Sequence, residues 1–280
     1  MNRIFFIDVD GTLVTQKGAV PKSASEVIKA VRERGDKVFL STGRAKSEIT
    51  DDILSVGFDG IIGSGGAYIE IDDVVLLEKY MDPNEVKQLM AYFADKEVGY
   101  YLESVEGLFA SDNCVDKIRS VSKRLVQSHP ELFVDKEHFE PTWFFEILES
   151  SKLKQIPYDR ISKVSFISEM HPFSETYETF KNDFEVYHAT VFEFGPESGE
   201  IGLKDITKRT AIEYVLDYYD MEFETIAFGD GLNDLEMFAA VDYSVAMDNA
   251  HADLKLVADE ITSIAEDDGI SLAFKRNKWV

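Results

Sequence analysis

Across 280 residues, 53 acidic side chains outnumber 29 basic ones, giving a formal charge of −24. A surface this acidic repels nucleic acid and anionic lipid, so neither is expected as a partner. The length exceeds one ordinary core, which predicts an insertion or a second domain, and the single cysteine, Cys114, excludes an intrachain disulfide and fits a reduced, cytoplasmic compartment.

Residues 3–8 read as a buried strand, with Phe5, Phe6 and Ile7 running into Asp8. That apolar stretch is too short for a secretory pattern, and no apolar run approaches the roughly 20 residues that span a bilayer. Residues 23–34 place Val27, Ile28 and Val31 at helical spacing, and Gly35 is the stop. Residues 37–44 predict a second buried strand ending in the small polar turn Ser41-Thr42-Gly43. Residues 47–57 read as a helix, and 60–71 as short strands around a tight glycine turn. Strand, helix, strand, helix argues for a parallel α/β sheet.

The middle of the chain differs. From about Asp82 to about Thr190, helical stretches (83–96, 115–128) mix with strand-like ones (99–111, 163–168, 184–194), the pattern of an α+β module. The C-terminal third returns to the alternation of the N-terminal one, with a helix over 206–220, a strand and turn over 225–231, a helix over 232–241 and a strand over 243–247. The expected architecture is a Rossmann-like parallel-sheet core, residues 1–82 and 190–280, split by an inserted α+β cap, residues 83–189.

Ligand sites of open parallel sheets lie at the carboxyl ends of the strands. Three polar clusters fall there: Asp8/Asp10, Ser41/Thr42/Gly43 and Asp230/Asn233/Asp234; Lys208 opens the helix before the third. Taken singly, each has a bland reading as a turn, a cap or a hydrated loop. Together they predict one pocket in which Asp8, Asp10, Asp230 and Asp234 crowd. Two such charges about 4 Å apart repel by about 4 kcal/mol at an effective dielectric near 20. The pocket therefore calls for a divalent cation, and oxygen donors without Cys/His ligand spacing select Mg²⁺ over zinc. The metal and Lys208 would bring positive charge to a phosphate, with the Thr42 hydroxyl and the Gly43 N–H as neutral donors.

The motifs DVDGTL (8–13), STGR (41–44), TKRTAI (207–212) and GDGLNDLEMF (229–238) resemble those of the haloacid dehalogenase superfamily, and within it the Cof-like sugar-phosphate phosphatases with a type IIB cap. YSVAMDNAHADLK (243–255) and IPYDRISKVSF (156–166) resemble the same subfamily. The resemblance implies a Mg²⁺-dependent phosphatase acting on a small phosphorylated metabolite through an aspartyl-phosphate. Asp8 would be the nucleophile and Asp10 the acid and base, its carbonyl also on the metal. Asp230 would bind Mg²⁺ directly, Asp234 from behind or through water. Thr42, Gly43, Lys208 and Asn233 would hold phosphate oxygens. Lys204 is the competing lysine, and Arg44 is open between structural and functional roles. The alternatives are a phosphosugar mutase, a specialised sugar-phosphate phosphatase, or a binding or regulatory relative without turnover.

Overall fold

A computed structural model describes residues 2–128, 142–189, 191 and 194–280. Two compact units form from one chain. The first takes the residues up to Arg44, Ile49–Glu78 and Ile206–Val280; the second takes Ala45–Glu48 and Lys79–Asp205.

The first unit opens with β1 (Asn2–Ile7), α1 (Lys22–Glu33), β2 (Lys37–Ser41), α2 (Asp51–Leu54), β3 (Gly60–Gly63), β4 (Tyr68–Ile71) and β5 (Val74–Glu78). β1 is apolar on both faces because both are covered. Ile4 and Phe6 join the cluster of Phe39, Ile62, Ala211, Ile212 and Val215. Phe5 turns the other way and stacks on Phe274, ring centroids 4.7 Å apart, with Trp279 edge-on. Such double burial is what makes a parallel strand a continuous apolar run rather than an alternating one.

The second unit contains α3 (Pro83–Asp95), β6 (Gly99–Ser104), β7 (Gly107–Ala110), α4 (Cys114–Ser128), α5 (Thr142–Ser151), β8 (Lys163–Ile167), α6 (Phe173–Phe180), β9 (Phe184–His188) and β10 (Gly199–Leu203). Asp82 caps α3, accepting from the Asn84 N–H, while Glu85 reaches back to Asp82 N in a capping box. The five strands form one antiparallel sheet in the order β7-β6-β8-β10-β9. One face carries Leu102, Val164, Phe166 and Ile201 against Leu89 and Phe93 of α3. The other presents Tyr101 and Ile167 to Ile118 of α4 and Phe144 of α5. Beside them lies a charged row: Glu103 pairs in register with Lys163, and Ser165 with Glu200.

The chain returns to the first unit with α7 (Lys208–Tyr219), β11 (Phe223–Gly229), α8 (Leu235–Phe238), β12 (Tyr243–Met247), α9 (Ala252–Val257), β13 (Glu260–Thr262) and α10 (Gly269–Arg276). Its sheet runs β13-β12-β11-β1-β2-β3-β4-β5, parallel from β13 to β3 and antiparallel at β4 and β5. β1 sits between β2 and the much later β11, so the chain leaves it in opposite directions. That is the switch point at which such sheets open a crevice.

The expected α/β core with an inserted α+β module is what forms. Its boundaries move from 82/83 and 189/190 to 78/79 and 205/206. The second shift has a definite cause: residues 199–203, an unplaced run in the sequence, are β10, which bonds between β8 and β9. The helix expected over 47–57 breaks up. A 3-10 turn at Lys46–Glu48 belongs to the second unit, where Ser47 Oγ donates to Ser104 O (2.7 Å), and only the single turn of α2 stays in the first. The strand expected over 184–194 covers only 184–188; residues 190, 192 and 193 of that reading lie outside the described residues. Cys114 is buried, and burial pushes its thiol up to about 12, so it is packing rather than chemistry.

Candidate active site

Asp8 is the first residue beyond β1, its N–H still on the ladder through Phe228 O (3.0 Å). Lys208 is the first residue of α7. The helix start is set by Thr207, whose hydroxyl accepts from Thr210 N (3.3 Å) while Thr210 Oγ1 accepts from Thr207 N (3.1 Å). The glycine turn after β3 closes on this cap: Gly66 has φ +118°, and a Cβ there would lie 2.4 Å from Thr207 O. A lysine at a helix N-terminus faces the positive end of the dipole. It is tolerated because Lys208 Nζ, only 2% exposed, donates to Asp8 Oδ1 and Asp234 Oδ1, each at 2.6 Å. Burial opposes its charge, but Asp234 and Asp8 outweigh burial and hold it above its ordinary value.

Asp234 is fully buried, and its other oxygen accepts from the N–H groups of Asp230 and Gly231, each at 2.9 Å. It is thus the hub of the loop after β11. Asp230 takes Thr12 Oγ1 on Oδ1 (3.1 Å) and Asn249 Nδ2 on Oδ2 (3.0 Å). Gly11 makes room for it: its φ is +73°, and an added Cβ would lie 2.2 Å from Asp230 Oδ2.

One oxygen each from Asp8, Asp230 and Asp234 lie within 4.8 Å of one another. Burial, then repulsion from Asp234 and Asp10 set against the pull of Lys208, pushes Asp8 up to about 7. Burial, with repulsion from Asp8 and Asp234, pushes Asp230 up to about 8. One lysine therefore does not neutralise the cluster. The donor set is hard oxygen without Cys or His, which fits a hard divalent cation. Asp234, with both oxygens engaged, fits the position behind the ion.

Asp10 stands apart. Its carboxylate accepts from Arg44 Nε (2.8 Å) and Nη2 (2.6 Å) in a two-point pair. Its side chain remains 42% exposed while that of Arg44 is 9% exposed. Arg44 is held in turn by its backbone: its N–H donates to Thr42 Oγ1 (3.1 Å) and its carbonyl accepts from Ser64 N (2.8 Å). Thr42 is buried at the end of β2, and Gly43 follows it half-buried. Asn233 is half-buried in the 3-10 turn Leu232–Asp234.

A family model described as haloacid dehalogenase-like hydrolase matches residues 5–274. The chain belongs to that family. It is a phosphatase, an enzyme of phosphoryl transfer. The phosphatase YwpJ of Bacillus subtilis is 23% identical over 299 residues, covering 98% of this chain and 99% of its own. YwtE of the same organism, named a 5-amino-6-(5-phospho-D-ribitylamino)uracil phosphatase, is 23% identical over 277 residues, covering 95% and 94%. Among solved structures, the subclass IIB sugar phosphatase BT4131 matches with a TM-score of 0.77 and 23% identity over the whole of both chains.

In this hydrolase the structure brings Asp8, Lys208, Asp230 and Asp234 into one cluster and sets Asp10 beside Thr42 through Arg44. Lys204 lies elsewhere, its ammonium on Glu185 Oε1 (3.1 Å) in the second unit. Three residues of the site had no role assigned from sequence. Thr12 sat inside the first motif without a role of its own. Arg44 gave no sign that Asp10 was its partner. Asn249 lies 19 residues from the carboxylate it bonds.

Proposed function

We propose that this phosphatase hydrolyses small phosphorylated metabolites, sugar or sugar-alcohol phosphates, through an aspartyl-phosphate on Asp8 with Mg²⁺ in the acidic cluster. The observation that carries the reading is the buried Lys208 ammonium, 2.6 Å from Asp8 and 2.6 Å from Asp234. It takes one oxygen of Asp8 and leaves the other for attack, a geometry no surface ion pair requires. The substrate named for YwtE, a phosphorylated ribityl compound, supports the metabolite class.

In the first step the Asp8 oxygen attacks phosphorus, the bond to the leaving oxygen breaks, and a proton passes from Asp10 to that oxygen. In the second, water attacks the phosphorus and gives a proton to Asp10. The bond to Asp8 then breaks, which restores both carboxyl groups and releases phosphate. Lys208, the Thr42 hydroxyl, the Gly43 N–H and Asn233 hold the phosphoryl oxygens, and Lys208 offsets the charge of the transferring group. Asp8, Asp230 and the Asp10 carbonyl would hold the metal, with Asp234 behind. Bound there, it supplies the positive charge that lets an anionic substrate enter an acidic cluster. The same reading makes the enzyme cytoplasmic and free of nucleic acid and membrane. Its charge of −24 supports the exclusion of nucleic acid and anionic membrane.

The test is phosphate release from a panel of sugar phosphates, sugar-alcohol phosphates, nucleotides, flavin mononucleotide and pyridoxal phosphate. Turnover of one of the first two classes is expected, lost in EDTA, restored by Mg²⁺ and absent in Asp8→Asn. Turnover that survives Asp8→Asn overturns the covalent route, and full turnover in EDTA overturns the metal.

A further inference from the structure

The loop after β12 makes a contact that the two chemical steps do not use. Residues 248–251 join β12 to α9, and Asn249 is exposed at its crest. Its amide nitrogen donates to two acceptors, Gly11 O at 2.9 Å and Asp230 Oδ2 at 3.0 Å. One side chain thus ties the loop after β1 to the carboxylate after β11. The loop that offers it is itself braced. The Ala250 N–H donates to Met247 O (2.9 Å), and the His251 N–H donates to Asp230 O (2.9 Å). Lys255 bonds Asp248 at its carbonyl and its carboxylate. Asp253 N donates to His251 Nδ1 (3.2 Å), capping α9.

The geometry at Asp230 is specific. Thr12 occupies one lone pair of Oδ1 and Asn249 one of Oδ2. Each carboxylate oxygen has two, so one remains on each, and rotation of the carboxylate about its last bond is blocked from both sides. Gly11 has no side chain at the point where the three loops meet; a Cβ there would come 2.2 Å from Asp230 Oδ2 and 3.0 Å from Asn249 Nδ2. An exposed amide adds little to the fold through such a bond. What this bond controls is where the remaining lone pairs of Asp230 point.

We propose that Asn249 is a positioning residue for the metal: by bridging Gly11 O and Asp230 Oδ2 it presents the Asp230 carboxylate to the cation. This rests on the reading of the acidic cluster as a Mg²⁺ site. Groups that orient a ligating carboxylate are worth about 10–100-fold in metal affinity. In this role Asn249 contributes no ligand of its own.

The test is direct Mg²⁺ binding by calorimetry on the purified full chain without substrate, for the native protein, Asn249→Ala and Asp230→Asn. Asn249→Ala is expected to bind Mg²⁺ about 10–100-fold more weakly. Asn249→Ser keeps a polar loop residue too short to span both acceptors and should show the same loss, which covers a failure of the alanine variant to fold. Native affinity in a folded Asn249 variant, with Asp230→Asn weakened, overturns the positioning role and leaves the metal site standing. No Mg²⁺ binding by the native protein overturns the metal reading and this role with it. A melting temperature in EDTA lowered without any change in affinity would make Asn249 a structural residue only, which also overturns the proposal.

Discussion

Each unit buries a lysine between two carboxylates. In the first, Lys208 lies 2.6 Å from Asp8 and 2.6 Å from Asp234; in the second, Lys163 lies 3.2 Å from Glu103 and 2.8 Å from Glu200. Both lysines are held above their ordinary value, burial being outweighed by their acidic neighbours. Their settings differ. Glu103, Lys163 and Glu200 stand within three neighbouring strands, Glu103 in register with Lys163 and Glu200 in register with Ser165, which donates to Glu103 Oε1 (2.6 Å). Asp8 and Asp234 stand just past strand ends, where backbone N–H groups and a glycine let a third carboxylate, Asp230, approach. A buried ion pair is therefore weak evidence of function on its own. Convergence of several chain segments on one point beyond a sheet edge is stronger evidence, because nothing in sheet packing demands it.

The contrast between the units is sharpest at two nearby lysines, one in each. Lys208→Ala should reduce turnover by about 10³-fold or more, since it removes a cation from the transferring group. Lys204→Ala should leave turnover near native. Steady-state assays of both variants check this, and the reverse result would move the role to Lys204.

Next in size is the second network. Lys163→Met leaves Glu103 and Glu200 buried without their cation and should cost about 3–5 kcal/mol in denaturant unfolding. Glu103→Gln should change stability by less than about 1 kcal/mol. Burial, opposed by Lys163 and reinforced by Glu48 and Glu200, raises Glu103 above the usual carboxyl range, so removing its charge costs less than removing the cation between two acids. An equal loss in both variants would mean that the row depends on a charged Glu103.

Spread most thinly over conditions is a pH dependence. Asp8 near 7 and Asp230 near 8 have folded values raised above their unfolded ones. Groups shifted this way contribute stability that is present at low pH and lost as pH rises through the folded values. In EDTA, stability should therefore fall between about pH 4 and 8, by at most about 1.4 kcal/mol per pH unit for each group, read as a falling melting temperature. Mg²⁺, which binds the ionised carboxylates, should flatten the fall, as should Asp230→Asn. A slope unchanged by either would detach the two carboxyls from the metal.

Local chemistry carried much of this molecule into view from sequence. The apolar run into Asp8 foretold a core strand with carboxylates at its end. Lys208 at the opening of a predicted helix foretold a helix start with a lysine at its first position. These signals were legible because a strand's period, a cap and a turn are properties of a few adjacent residues. β10, the division of residues 47–57 between two units, the Arg44–Asp10 pair and the Asn249 bridge were not legible. Residues 199–203 become a strand because β8 and β9 flank them. Arg44 and Asn249 bond carboxylates 34 and 19 residues away, at distances fixed only once the parallel strands have aligned their ends. The sequence alone determined which residue types stand at the strand ends. Tertiary structure alone decided that Arg44 meets Asp10 and which amide turns Asp230, because hydrogen bonds are short and directional and their partners arrive through the order of the sheet.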